Sequence, residues 1–303
     1  MKTILLPALL SLLLWLPATA QTFKKDYTAA KEAKDTTAQQ RILKEWEAAS
    51  ENDPELYVAL FNYYANKSRN AIIALGNEPG KGDAFALYKE GKDKNGTPDA
   101  YLYEQSGYDT RILKTGFDYA EKGIVRNPNR LDLRFGKVYM YGEIGDWERF
   151  TAELERAIDY SVKINNQWLW AESKPVSDGK KFLLTNLQTY QLQIYNTGND
   201  SLLRFMKRIA LAVIKYYPDH TESLSNLAVV YLINNDYNEA LKYLHKAEKI
   251  GGTDFIVLNN IARAYELKGN KKKAIEYYRL TIKHGDKQAK SSAEAKLKEL
   301  EKQ

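Results

Sequence analysis

A constant offset between two segments near the C-terminal end limits this chain more than any other feature. The segments LSNLAVVYLINNDYNEALKYLHKAEKIG, from Leu224, and LNNIARAYELKGNKKKAIEYYRLTIKHG, from Leu258, align in one phase. Ala228 matches Ala262, Tyr231 matches Tyr265, Ala240 matches Ala274 and Leu244 matches Tyr278, every pair at the same separation. A period of this length marks stacked helical units, since one unit cannot bury its own apolar face and must lean on a neighbour. Leu224, Leu227, Ala228 and Tyr231 follow i, i+3, i+4, i+7 and share one helical face. Ala240, Leu244 and Ala247 do the same for a second helix, with Asn234-Asn235-Asp236 as the turn between. Ala228 and Ala240 stand where paired helices come closest, because a larger side chain there would push them apart. Leu224, Leu227 and Tyr231 fill the space beside them, each contributing about 1.5–3 kcal/mol by burial.

These segments resemble tetratricopeptide repeats, whose pattern is a large apolar residue, then small and aromatic residues, then spaced small residues in the second helix. Thr281 departs from the pattern, which has Ala there, and Gly252 stands where Pro is common. The resemblance covers 217–285 closely and 37–216 loosely. Upstream, Pro54, Pro128 and Pro218 mark junctions between helices, since proline suits the start of one helix and ends the one before. The stretch from Leu131 through GDWERFTAELERAI is a degenerate unit, with GDW standing where NDY stands at 235–237. FLLTNLQTYQLQIY (182–195) and LLRFMKRIALAVIKYY (202–217) read as long, irregular members of the stack. The last helix, within 286–303, has a narrow apolar stripe of Ala289, Ala293, Leu297 and Leu300 and suits a cap. The fold class implied is all-α: a tetratricopeptide-like right-handed solenoid.

In that family the first helix of each pair lines a concave groove that takes a protein or peptide. Carried onto this chain, the groove face comprises Glu222, Ser225, Val229 and Leu232, then Ile256, Asn259, Arg263 and Glu266. Arg263 and Asn259 are the donors for an acidic or carboxyl-bearing segment. Asn226 and Asn260 match the family's asparagine, which bonds to the backbone of the adjoining helix. The basic clamp of some chaperone-binding relatives is incomplete here.

The N-terminal MKTILLPALLSLLLWLPATA has one cation, Lys2, an apolar core from Ile4 to Leu16, and small residues at Ala18-Thr19-Ala20. That is the anatomy of a secretory leader cleaved before Gln21, and its apolar run is shorter than the roughly 20 residues that cross a bilayer. The expectation is a periplasmic or secreted protein without a membrane span, opening on a flexible segment at 21–36. Cysteine is absent, which removes disulfides, thiol catalysis, cysteine zinc sites and a bacterial lipid anchor. Net charge is +6, yet 45 basic residues are interleaved with 39 acidic ones, as in KQAKSSAEAKLKELEK. This is a solvated surface rather than a phosphate track, and nucleic acid is not an expected partner.

FALYKEGKDKNGTPDAYLYEQ, from Phe85, breaks the helical pattern. Phe85–Tyr88 and Ala100–Tyr103 favour strands, and Asn95-Gly96 between them accepts the positive φ of a tight turn. LGNEPGKGD ends a helix expected to reach Ile73. A β-hairpin is therefore expected near 84–104, with Leu87 and Leu102 on one face and Tyr88, Tyr101 and Tyr103 on the other. A lone hairpin is marginal in water, so one face should lean on helices. The tyrosines, with Trp168 and Trp170, form a candidate aromatic patch for a glycan or peptide, and suggest as an alternative an accessory protein of an outer-membrane uptake system.

Catalytic chemistry finds little footing. GNEPGKG (76–82) is one residue short of a phosphate loop, and no Ser or Thr follows Lys81. His220, His245 and His284 lack metal-ligand spacing, and Asp93, Asn95 and Asp99 lack the glycine offset and bidentate Glu of a calcium loop. The reading is a non-enzymatic protein without metal or cofactor, an enzyme with a site between helices being the last alternative.

Overall fold

A computed structural model of the chain describes residues 16–79, 83–91 and 95–302. The leader as far as Trp15, Lys81 of the degenerate phosphate loop and Asp93 lie outside the described residues. The chain divides into two compact units, one running to Gly145 and including Leu169–Pro175, the other comprising Asp146–Trp168 and Val176 onward. Among the described residues no helix is long and apolar enough to cross a membrane.

The first unit holds α1 (Leu16–Glu32), α2 (Thr36–Ala49), α3 (Pro54–Ser68), α4 (Thr110–Arg126) and α5 (Leu131–Glu143). Pro54 occupies the first turn of α3, where its missing N–H costs nothing. Most of the segment expected to be flexible at 21–36 is instead α1: Phe23 stacks on Trp46 at 6.1 Å and Tyr27 and Ala30 are buried. Trp46 is fully buried, and its indole N–H donates to Asp53 Oδ2 at 3.0 Å, the same residue whose other carboxylate oxygen caps α3 through the Glu55 N–H. Helices α3 and α4 pack with almost nothing between them, because α4 presents Gly116 and Gly123 to α3. A Cβ on Gly123 would lie 2.5 Å from Tyr57 Cβ.

Between α3 and α4 the chain makes β1 (Arg69–Gly76), β2 (Ala84–Leu87) and β3 (Ala100–Tyr108), an antiparallel sheet in the order β1-β3-β2. The expected hairpin is present as β2 and β3, in the register Phe85 opposite Leu102. The helix expected to reach Ile73 stops at Ser68, and RNAIIALG forms β1, pairing Leu75 with Leu102 and Ile73 with Glu104. Consecutive Ile-Ile favours the strand, and Ser68 C=O accepts from the Asp109 N–H at 2.7 Å, closing the insertion where it leaves and rejoins the helices.

A short hairpin of β4 (Leu169–Trp170) and β5 (Lys174–Pro175) completes this unit. Its turn places Glu172 and Ser173 at φ 60° and 53°, left-handed values that cost a side chain of order 1–3 kcal/mol each. Glu55 holds the turn, its Oε1 accepting from the Glu172 N–H at 2.8 Å and from Arg130 at 2.7 Å. Lys24 bridges the Glu55 and Glu172 carboxylates at 3.1 and 2.9 Å. Arg130, itself 1% exposed, is satisfied by Asp132, Glu55 and Ser173.

The second unit holds α6 (Trp147–Lys163), α7 (Gly179–Tyr195), α8 (Leu203–Tyr216), α9 (Thr221–Ile233), α10 (Tyr237–Gly251), α11 (Phe255–Leu267), α12 (Lys271–His284) and α13 (Lys287–Lys302). Ala228, Ala240, Ala262 and Ala274 are all fully buried, at the close approaches their spacing predicts. Tyr231 stacks on Tyr243 and, one repeat later, Tyr265 stacks on Tyr277, so the aromatic wedge is copied with the repeat. Ala293 and Leu300 of α13 enter the same core. Thr281 is tolerated in place of alanine because its buried hydroxyl donates to Tyr277 C=O at 3.0 Å. Gly252 ends α10 at φ 58°, a value proline cannot take.

One turn chemistry recurs. Lys34-Asp35, Asn235-Asp236 and Gly269-Asn270 each place a left-handed residue (φ 55°, 60°, 81°) before a capping Asp or Asn. The capping residue's N–H returns to a carbonyl five residues back, as Asp35 to Ala30, Asp236 to Tyr231 and Asn270 to Tyr265. Its side chain accepts from the third residue on: Ala38, Glu239 and Lys273. Gly145, at φ 70°, and Asp146, whose side chain accepts from the Arg149 N–H, share the left-handed residue and the side-chain cap of this scheme.

Two tests follow from this packing. Gly123→Ala gains helix propensity but drives a methyl into Tyr57, and urea unfolding should report a net loss of about 1–3 kcal/mol; an unchanged or raised midpoint would contradict the close approach. His220 caps α9 by accepting from the Ser223 N–H at Nδ1, 3.3 Å away, with Nε2 facing Glu222 Oε2 at 3.2 Å. Burial lowers its pKa from the usual 6.5, Glu222 opposes that and Lys180 adds to it. Well above pH 6.5 neither folded nor unfolded chain protonates it. As the pH falls below that value the unfolded chain takes up the proton first, so this group's contribution to stability declines until the lowered folded pKa is passed. His220→Asn keeps an accepting cap that cannot titrate, and its stability should decline less between pH 7 and 5; parallel pH curves would refute the burial-lowered pKa of His220.

Candidate functional site

In the second unit α7, α9, α11 and α13 lie side by side, each touching the next, while α8, α10 and α12 pack beside them. Polar side chains tie this layer together. Gln188 on α7 and Asn226 on α9 exchange two amide bonds of 3.4 and 2.6 Å. Asn260 on α11 donates to Ser225 Oγ on α9 at 3.0 Å. Glu266 on α11 accepts from Tyr278 Oη and sits 3.6 Å from Lys296 on α13, and burial together with the carboxylate raises the Tyr278 pKa. The two asparagines thus bond to side chains of the adjacent layer helix, not to backbone as the resemblance implied. Their offset from one another is the repeat length, so each performs the same tie one unit along.

The layer sorts the predicted groove residues. Ile256 (56% exposed), Asn259 and Arg263 form an i, i+3, i+7 stripe along the outer side of α11, with Glu266 half-buried at its end. Arg263 and Asn259 have no hydrogen bond or ion pair among the described residues. On α9, Glu222 is exposed but bonded to Thr221 and close to His220, and Val229 is half-buried. Ser225 and Leu232 are buried, at 6% and 4% exposure. Ser225 faces α11 to receive Asn260, and Leu232 belongs to the apolar core of α9–α12, so neither can meet a partner. Transferring the groove by repeat position missed this because α9 is apolar nearly all round, and its exposed edge leaves no amphipathic signal. Sequence reading also passed over Leu192, half exposed on α7 one turn beyond Gln188.

The five candidate aromatics do not make one surface. Trp168 is 1% exposed, packed against Tyr160 at 5.8 Å, and is unable to stack on a glycan. Trp170 is partly exposed, with its ring edge-on to Phe135 at 6.2 Å. Tyr88 follows β2 and is half-buried. Tyr101 and Tyr103 share one sheet face, and Tyr103 lies across Gly76, where a Cβ would meet its hydroxyl at 3.1 Å. The pleat turns Ile73, Leu75, Leu87, Leu102 and Phe85 to the opposite face. That face is open: Ile73, Leu75 and Phe85 are 69, 66 and 73% exposed, so the expectation that one side leans on helices fails for the apolar side.

Residues 209–242 and 256–283 each match a family model described as Tetratricopeptide repeat. The first match runs from within α8 through α9 into α10, and the second spans α11 and α12. No curated protein matches the chain. Among solved structures, similarity is found to YrrB, "a TPR protein with an unusual peptide-binding site", at 14% identity over 61% of this chain and 85% of that one, TM-score 0.38. The P58(IPK) TPR domain aligns at 12% identity over 95% and 67%, TM-score 0.34. PilW, described as a type IV pilus biogenesis factor, aligns at 8% identity over 86% and 91%, TM-score 0.35. The two matched segments and the helix pairing carry the assignment: the chain contains tetratricopeptide repeats, in a mostly helical repeat fold with a small antiparallel sheet inserted.

Proposed function

We propose that this chain is an exported scaffold that captures a protein or peptide on the outer side of the α7–α9–α11–α13 layer. Tetratricopeptide folds usually serve as non-catalytic scaffolds for proteins and peptides. The observation that carries the reading is the α11 stripe: an isoleucine 56% exposed, one turn from Asn259 and two from Arg263, a cation that no carboxylate of the described chain neutralises. An apolar anchor beside an unpaired guanidinium suits a segment with one apolar side chain and a carboxylate, since Arg binds carboxylate in bidentate fashion. Export is supported by the leader-like composition of residues 1–20. It is also compatible with α1, whose core residues Phe23, Tyr27 and Ala30 all lie beyond the expected cleavage site before Gln21.

Crosslinking in the native host followed by mass spectrometry tests both parts. The captured protein should begin at Gln21, and Arg263→Glu combined with Ile256→Ala should reduce partner recovery at least about tenfold, the worth of one charge-assisted contact, while helicity is retained. An intact Met1 refutes export, and unchanged partner recovery refutes the α11 stripe.

A further inference from the structure

In the first unit a cavity of about 500 Å³ opens where the α1–α2 turn meets the C-terminal end of α3. Lys31 reaches it from α1, Lys34 from the turn and Lys67 from α3, and its lining includes no Asp or Glu. Four other cavities of this molecule each include at least one carboxylate. Elsewhere this chain pairs its lysines locally, as Lys114 with Asp118, Lys242 with Glu239, Lys273 with Glu276 and Lys296 with Glu299. Here none of the three has an ion pair among the described residues, and Lys67 makes only a cation–π contact with the buried Tyr63 at 5.6 Å. The nearest acids in sequence are Glu32, which lines a different cavity, and Asp35, whose carboxylate accepts from the Ala38 N–H at 2.9 Å; neither lines this one.

Three cations around one hollow repel each other, and an anion placed among them removes that cost. The rest of the lining suits the same ligand: Asn66, Thr36 and Thr37 offer neutral donors, and no acidic group would repel it. The volume lies within the range of small-molecule sites, roughly 300–1,000 Å³, and is too small for a folded partner. We propose that this cavity binds a small, multiply charged anion bearing phosphate or carboxylate groups, through Lys31, Lys34 and Lys67. This site is on a different unit from the α11 stripe and stands or falls independently of it.

Titration calorimetry of the full chain at low ionic strength, with inorganic pyrophosphate and with citrate, tests the proposal. At least one probe should bind saturably with one-to-one stoichiometry, and the preferred probe identifies the anionic group. Lys31→Gln combined with Lys67→Gln should weaken that binding at least about tenfold, as should Lys34→Asn, a residue that tolerates the left-handed φ of 55° at that position. Lys298→Gln, which removes the same charge from the exposed surface of α13, should leave it unchanged. Absence of binding by both probes, or equal weakening in the Lys298 variant, overturns the proposal; circular dichroism confirms that each variant is folded.

Discussion

Two helices approach only as closely as the side chains between them allow, and in this chain alanine and glycine set that distance. Ala228, Ala240, Ala262 and Ala274 in the second unit are fully buried, and Gly116 and Gly123 do the same service between α3 and α4. Close backbones alone would leave voids beside them. Leu224, Leu244, Ile261 and Tyr278 fill these, and the Tyr231–Tyr243 and Tyr265–Tyr277 stacks wedge the rims. A small residue at one position and a large one beside it, recurring at the same place in the next repeat, is what makes each helical pair fit its neighbour.

The turns make that fit reproducible. A left-handed residue followed by a capping Asp or Asn reverses the chain in two residues and satisfies both an orphan carbonyl and an orphan N–H. It recurs at Lys34-Asp35, Asn235-Asp236 and Gly269-Asn270, with lysine, asparagine and glycine all serving at the strained position. Because the turn is short and fixed, the register between the two helices of a pair is fixed too, and the outward stripe of α11 follows from it.

The two C-terminal repeats could be read from the sequence because their small and aromatic residues keep one phase from Leu224 to Tyr278. The hairpin was legible from its alternating flanks, but β2 and β3 are joined across residues 88–99 and Gly96 is not at positive φ, so the expected tight turn at Asn95-Gly96 is not what connects them, and the third strand was not legible. RNAIIALG has the apolar content of a helix tail, and the modest strand preference of Ile72-Ile73 becomes decisive only through pairing with β3. Helix α1 was missed since its apolar contacts, Phe23, Tyr27 and Ala30, are spaced among charges and gain meaning only against Trp46 and Leu60. The residues expected to line a groove divide in their exposure. Arg263, Asn259 and Ile256 face outward as their positions imply, but Ser225 and Leu232 turn inward, because α9 is covered on nearly every side and periodicity cannot mark its exposed edge. Long-range polar pairings such as Gln188 with Asn226 and Glu55 with Arg130 leave no local signal at all.

The account rests on helical pairs being energetically coupled through their small-residue contacts, so that each pair holds the next. Amide hydrogen exchange by mass spectrometry on Ala262→Leu measures this directly, since the added isobutyl group enters a fully buried site on α11. Coupled stacking predicts faster exchange in α9 and α10 as well as in α11 and α12, the disturbance spreading to the neighbouring pair. Faster exchange confined to α11, with α9 and α10 as protected as before, would contradict it.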